Sequence, residues 1–335
     1  MRVLLDANIW IAEHLLRSAL GAALIFALKR SNGKILLPRV TEQEAVKGIV
    51  KVGEAAISQV RKSFLTIQSI VGRIPEYEPP SHEEIEGHAM SRLAELSAFI
   101  TTIESSLAVY DAALARVLQG RPPNKRNEQF RDSMVWETLL QQDPGTPIYF
   151  VTRDTDFFEG PGLDSALAHE LTQEIIERQL EVRVHRTVEH LLSSLNGSVL
   201  KADTAEIRAA LVVALEKELL SVSQTCRYDL QAFRDGTVEV FLTEDHNVLA
   251  VSFEFTYDIA NLIGPDDTLE QAATLTVKGN ASYSIDAKAI SQVRLGSATA
   301  YTLNGTMIPR NSIGFAYSNI VLGTRQIPYA IRRRL

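Results

Sequence analysis

Through the first 195 residues of this 335-residue chain, short apolar runs that break off at an acid alternate with long amphipathic stretches. The run Arg2–Leu5 stops at Asp6, and the run Pro147–Val151 is followed by Asp154 and Asp156. Lys34–Leu37 and Glu181–His185 read as further strands. Helical spacing covers about 9–30, 42–71, 81–118 with interruptions, 130–143, 164–179 and 187–194. Strands alternating with helices imply βαβ units, and therefore a parallel sheet covered on both faces. Sheets of that kind bind ligands beyond the carboxyl ends of their strands, which is where Asp6 and Asp154 fall.

The second half changes character. A linker near 196–204 leads to an amphipathic helix over about 205–221. Alternating segments follow at Thr237–Thr243, Val248–Tyr257, Ala273–Lys278, Ala281–Ile285, Ala298–Leu303 and Met307–Pro309, with Asn304-Gly305 as a hairpin turn. The expected organisation is an α/β domain over 1–195 and a smaller antiparallel α+β domain over 200–335. The role of the latter cannot be read from its residues.

Composition narrows the field. With 45% hydrophobic and 22% charged residues the chain can bury a full core. No apolar run approaches the roughly 20 residues that span a bilayer, and Asp6 interrupts any secretory leader. No membrane association is expected. The one cysteine, Cys226, cannot form an internal disulfide, which fits a reducing, cytoplasmic setting. A net charge of −7 argues mildly against non-specific duplex binding.

Four motifs carry the chemistry: Leu4-Leu5-Asp6-Ala7-Asn8, Pro38 followed six residues on by Glu44, Phe130-Arg131-Asp132-Ser133, and Phe150-Val151-Thr152-Arg153-Asp154-Thr155-Asp156-Phe157. Each acid has a plain structural use. Asp6 can cap a helix, Glu44 can close a capping box with Thr41, Asp132 can serve a helix dipole, and Asp154 and Asp156 can form an Asx turn. Their conjunction is more specific, because the topology sends all of them to one sheet edge. Carboxylates gathered there repel unless a cation joins them. Mg²⁺ and Mn²⁺ prefer oxygen ligands and bind phosphate at the same time.

Taken in order and spacing, these motifs resemble the PIN domain, a metal-dependent nuclease fold, over residues 1–195. The long helical insert before Asp132 resembles an extended member of that group. The resemblance implies a three-layer α/β/α domain with a central parallel sheet. It implies Asp6, Glu44, Asp132 and Asp154 as catalytic acids and metal ligands for Mg²⁺ or Mn²⁺, with Asp156 as a further acid or helper. Asn8 and Thr152 match positions that support the ligands. The expected activity is a metal-dependent endoribonuclease acting on single-stranded RNA, with DNA possible, in a toxin or defence setting with an antitoxin or regulatory partner. A homo-oligomer is expected. Structure-selective DNA cleavage and a non-catalytic binding module are the alternatives. Lys125, Arg126, Arg131 and Arg153, with Arg121, are candidate phosphate contacts, though a solvated loop explains them equally well. Trp10 and Trp136 fit core packing better than base stacking.

Overall fold

A computed structural model describes all residues except 73–77, 125–126, 161–164, 196–203, 227–228, 261, 264–268, 271, 303, 306, 309–320 and 323–335. By backbone contacts it divides into two units, 1–17 with 27–191 and 18–26 with 192–335.

The first unit is built on five parallel strands: β1 (Arg2–Leu5), β2 (Lys34–Pro38), β3 (Ile100–Ile103), β4 (Ile148–Val151) and β5 (Val182–His185), in the order β3-β2-β1-β4-β5. Helices flank the sheet: α1 (Ala7–Ala12), α3 (Arg39–Val71), α4 (His82–Glu95), α5 (Leu107–Leu118), α6 (Phe130–Leu140) and α7 (His169–Glu177); α2 (Ala19–Arg30) and α8 (Val188–Ser194) each have residues in both units, and α2 follows α1 and α8 follows β5 in the chain. The chain works outward from β1 to β3, then crosses to β4 on the other side of β1. That reversal makes the carboxyl ends of β1 and β4, with Leu5 level with Val151, the switch point of the sheet. β4 is apolar throughout because both its faces are covered. One core cluster packs Trp136, Phe150 and Phe157 beneath this edge, and Trp10 is also fully buried.

Three local expectations change. Ile100–Ile103 is an edge strand paired with β2, inside what the spacing predicts as helix. Helix over 9–30 is broken because His14, Leu15 and Leu16 turn left-handed at φ 48, 54 and 59. Such angles are costly for side chains of this size; Arg92 ties the bend down by donating to the Leu15 and Leu16 carbonyls at 3.1 and 3.0 Å. Thr41 is not a cap. The strand ends at Pro38, which is itself the N-cap, so Thr41 lies inside α3, its buried hydroxyl without a partner among the described residues. The capping box predicted at Ser81 and Glu84 does form.

The second unit contains α9 (Thr204–Cys226) and antiparallel strands β6 (Asp229–Leu242), β7 (Val248–Ala260), β8 (Leu262–Ile263), β9 (Leu269–Glu270), β10 (Ala272–Ser284), β11 (Ala289–Thr302), β12 (Met307–Ile308) and β13 (Val321–Leu322). The main sheet runs β12-β11-β10-β7-β6, β13 pairs with β11, and β8 and β9 form a separate ribbon. The two strands expected over 273–285 are one, β10, with its pairing to β11 shifted near Lys278 and Asn280. Ile207, Leu211, Leu215 and Leu219 recur every four residues along α9. They share a core with Val251, Phe253, Phe255, Tyr257 and Ile259, the alternate residues of β7. The linker near 196–204 and the strand end at Pro309 lie mostly outside the described residues.

Candidate acidic site at the sheet edge

Asp6 is fixed by its own turn. It caps α1, with Oδ1 accepting from the Ala7 amide at 2.7 Å. Oδ2 accepts from Asn8 Nδ2 at 2.5 Å and from the Thr152 hydroxyl at 2.6 Å. Thr152, fully buried at the end of β4, also accepts from the Asp154 amide at 3.1 Å. One hydroxyl therefore sets the spacing of two acids borne on neighbouring strands. Asn8 ties the loops a second time, its Oδ1 accepting from the Arg153 amide at 3.3 Å. Asp154 Oδ1 accepts from the Asp156 amide at 2.9 Å, closing the Asx turn ahead of the 3₁₀ segment Thr155–Phe157.

Asp132 lies in the first turn of α6 and is partly buried. Among the described residues no donor reaches its carboxylate. Burial is the main cause that pushes its pKa up to about 8, followed by the negative charges of Asp6, Asp154, Glu44 and Asp156. Asp6 is raised to about 6 by burial, and by the Asp154 and Glu44 charges, against the lowering effect of its bonds to Thr152 and Ala7. Asp132 thus feels the charge of the other four predicted acids, and Asp6 that of Asp154 and Glu44. No three of the described acids or histidines converge tightly enough to enclose a cation as they stand. These two facts are compatible. Mg²⁺ is held through one or two carboxylates with several waters retained, so acids coupled through charge without a closed cage suit it.

Two residues absent from the sequence expectations belong to this edge. Gln129 donates from Nε2 to Asp156 Oδ2 at 2.6 Å, while its buried Oε1 has no partner among the described residues. Its backbone amide donates to Asn124 Oδ1 at 2.6 Å, and Asn124 in turn donates to the Ser133 hydroxyl at 2.8 Å. Arg186, just past β5 and buried, donates to the Asp154 and Gly160 carbonyls at 3.2 and 3.4 Å, with its guanidinium 3.7 Å above the Phe158 ring. It clamps the loop that carries Asp154 and Asp156.

The basic residues divide. Arg131 is exposed but sits 3.2 Å from Glu44. Arg153 lies 3.9 Å from the buried Glu13. Arg121 pairs with Glu174, inside a buried network in which Arg116 holds Glu137 and Glu174, and Trp136 Nε1 donates to Glu174 at 2.7 Å. Arg121 is therefore a structural tie and not a free phosphate contact. Lys125 and Arg126 lie outside the described residues. Cys226 ends α9, and its side chain is also outside them.

A parallel α/β sheet with carboxylates gathered at its switch point has them where such sheets bind ligands. Residues 3–157 match the family model of the PIN domain, consistent with an N-terminal PIN domain; that family is a nuclease fold, generally metal-dependent. No family match extends beyond that region, and no curated protein or solved structure matches the chain. Among the described residues no helix is long and apolar enough to cross a membrane.

Proposed function

We propose that this edge is the active site of a Mg²⁺- or Mn²⁺-dependent endoribonuclease cutting single-stranded RNA. The observation that carries the reading is Asp132: a partly buried carboxyl without a donor, raised by burial and by four neighbouring acids. Such an arrangement destabilises the fold unless positive charge compensates it. The donor set fits a hard cation, since every candidate ligand is a carboxylate oxygen and Gln129 adds an amide oxygen without a partner among the described residues.

Asp6, Glu44, Asp132 and Asp154 would hold the metal, with Asp156 supporting. A bound divalent ion supplies Lewis acidity and makes water a stronger nucleophile near neutral pH. The rest falls to the protein. Thr152 and the Ala7 amide favour the ionised form of Asp6, and with Asn8 they aim its carboxylate. Glu44, on α3, would orient the attacking water once released from Arg131. Arg131, beside Glu44, and Arg153, next in sequence to Asp154, would meet the RNA backbone. A toxin or defence role, an antitoxin or regulatory partner, and a cytoplasmic location are part of this reading and rest on the family resemblance and the single cysteine.

The test is cleavage of single-stranded RNA and flap DNA by the purified full chain with Mg²⁺ or Mn²⁺. RNA cleavage that is lost in Asp6→Asn and Asp154→Asn is expected. Cleavage that survives both substitutions overturns the reading, and preference for the flap moves it to DNA. A non-catalytic module would show neither cleavage nor thermal stabilisation by either cation.

A further inference from the structure

The turns that open α3, α5 and α6 meet at the acidic edge. α3 and α5 start close behind the carboxyl ends of β2 and β3, and α6 brings Asp132 to the other acids in its first turn. Val109 and Ala113 of α5 and Met134 of α6 form a small buried cluster, with Val40 of α3 and Phe130 of α6 packed against it. Beside Val109, in the first turn of α5, stands Tyr110. Its ring meets Phe130 edge to face, with centroids 5.0 Å apart and planes at 69°. Tyr110 is nevertheless 49% exposed. Aromatic rings owe much of their binding energy to burial against another apolar or π surface. A ring braced by a second ring and left half open at the rim of a charged site is a ready stacking face.

The neighbours of that face say what fits it. Phe130, Arg131 and Asp132 are successive residues, about 100° apart around the first turn of α6. Phe130 meets Tyr110, Arg131 reaches Glu44 at 3.2 Å, and Asp132 feels the charge of the other acids. A ring, a cation and a candidate metal ligand, in that order, answer a base, its phosphate and the phosphodiester to be cut. We propose that Tyr110, braced by Phe130, stacks a base of the single strand whose backbone Arg131 meets, next to the bond held at the acids. The proposal deepens the ribonuclease reading and rests on it. A duplex cannot use this face, because its bases are already stacked on one another, whereas an unpaired strand can splay one out. Every base has a π-face, so the contact holds a strand without choosing its sequence. Tyr110 belongs to an exposed stripe with Leu107, Leu114 and Leu118. The aromatic member of that stripe is the one that meets the start of α6, where the cation and the acids are. That continuity favours the strand over a partner helix, which would need apolar bulk and not a ring.

Binding and cleavage by the full chain test this separately. In an Asp154→Asn background with Mg²⁺, the probe is a short single-stranded oligoribonucleotide with one 2-aminopurine, placed at each position in turn. Its fluorescence should be quenched at one position as that base stacks. Quenching should persist in Tyr110→Phe and vanish in Tyr110→Leu, with affinity falling on the order of 10-fold. With Asp154 intact, Tyr110→Leu should raise KM by a similar factor and leave kcat unchanged, the mark of lost uniform binding. Leucine keeps the apolar bulk and the helix propensity, so the variant should fold, and its melting temperature checks that. Quenching at no position, quenching that survives Tyr110→Leu, or an unmoved KM overturns the proposal; a face that serves a partner helix would give the last two. A chain that quenches the probe but never cuts RNA sinks the ribonuclease reading and supports the stacking face.

Discussion

The sheet edge of the first unit and the solvent face of the second unit's sheet are both rich in charge, and they handle it in opposite ways. On β7 and β10, Glu254 and Lys278 are direct cross-strand partners and their side chains meet at 2.8 Å. Beside them Thr256 and Thr276 are hydrogen-bonded at 3.2 Å, and Arg234 approaches Asp258 at 3.6 Å. These charges have opposite neighbours across the ladder, in the manner that stabilises a sheet. At the ends of β1 and β4 like charges are gathered instead. Asp6 and Asp132 titrate upward because burial and other acids surround them. The lesson is that charge answered by the protein itself is structure. Like charges that the topology gathers at the ends of two strands point to something bound.

The contrast can be broken by substitution. The largest effect is expected for Asp132→Asn: cleavage falls on the order of 10³-fold, while the cation-free protein becomes more stable by about 0.5–2 kcal/mol. Assays beside calorimetry would read both, and a destabilised variant would mean that Asp132 serves the helix alone. Thr152→Val removes the hydroxyl that joins Asp6 to the Asp154 amide. A 10–100-fold loss in metal affinity is expected, the usual cost of a ligand's support, measured by titration calorimetry. Gln129→Leu should cost about 10-fold by the same measure, at the low end of that range, because it frees Asp156 alone. Breaking the opposite region should do least. Lys278→Ala is expected to change stability by under about 1 kcal/mol and to leave cleavage untouched.

Much of this contrast was legible in the residues. An apolar run ending in Asp6, and another ending in Thr152-Arg153-Asp154, fixed two strand ends, and alternation with helices set them side by side. The edge strand Ile100–Ile103 was not legible, because four residues with two exposed threonines carry no pattern against flanking helices. Thr41 misled because capping-box spacing is a local signal, and the strand ending at Pro38 overrides it. Gln129 and Arg186 act across 27 and 32 residues of sequence, which no window can see. Arg186 offered one hint: it stands just past the end of β5, the same kind of position that Asp6 holds after β1.

The central claim is that the acids of the sheet edge await a cation, and melting temperature against pH tests it most directly. Folded Asp6 and Asp132 hold their protons to about 6 and about 8, whereas in the unfolded chain both ionise near 3.8. Between about pH 4 and pH 8 the folded state binds more protons, so the stability of the cation-free protein should fall as pH rises through that window. Mn²⁺ or Mg²⁺ should restore it most at pH 8, where the acids are charged, and should do so no longer in Asp6→Asn/Asp132→Asn. Melting temperatures that ignore the cation at pH 8, or a double variant stabilised by it as much as the wild type, would contradict the claim.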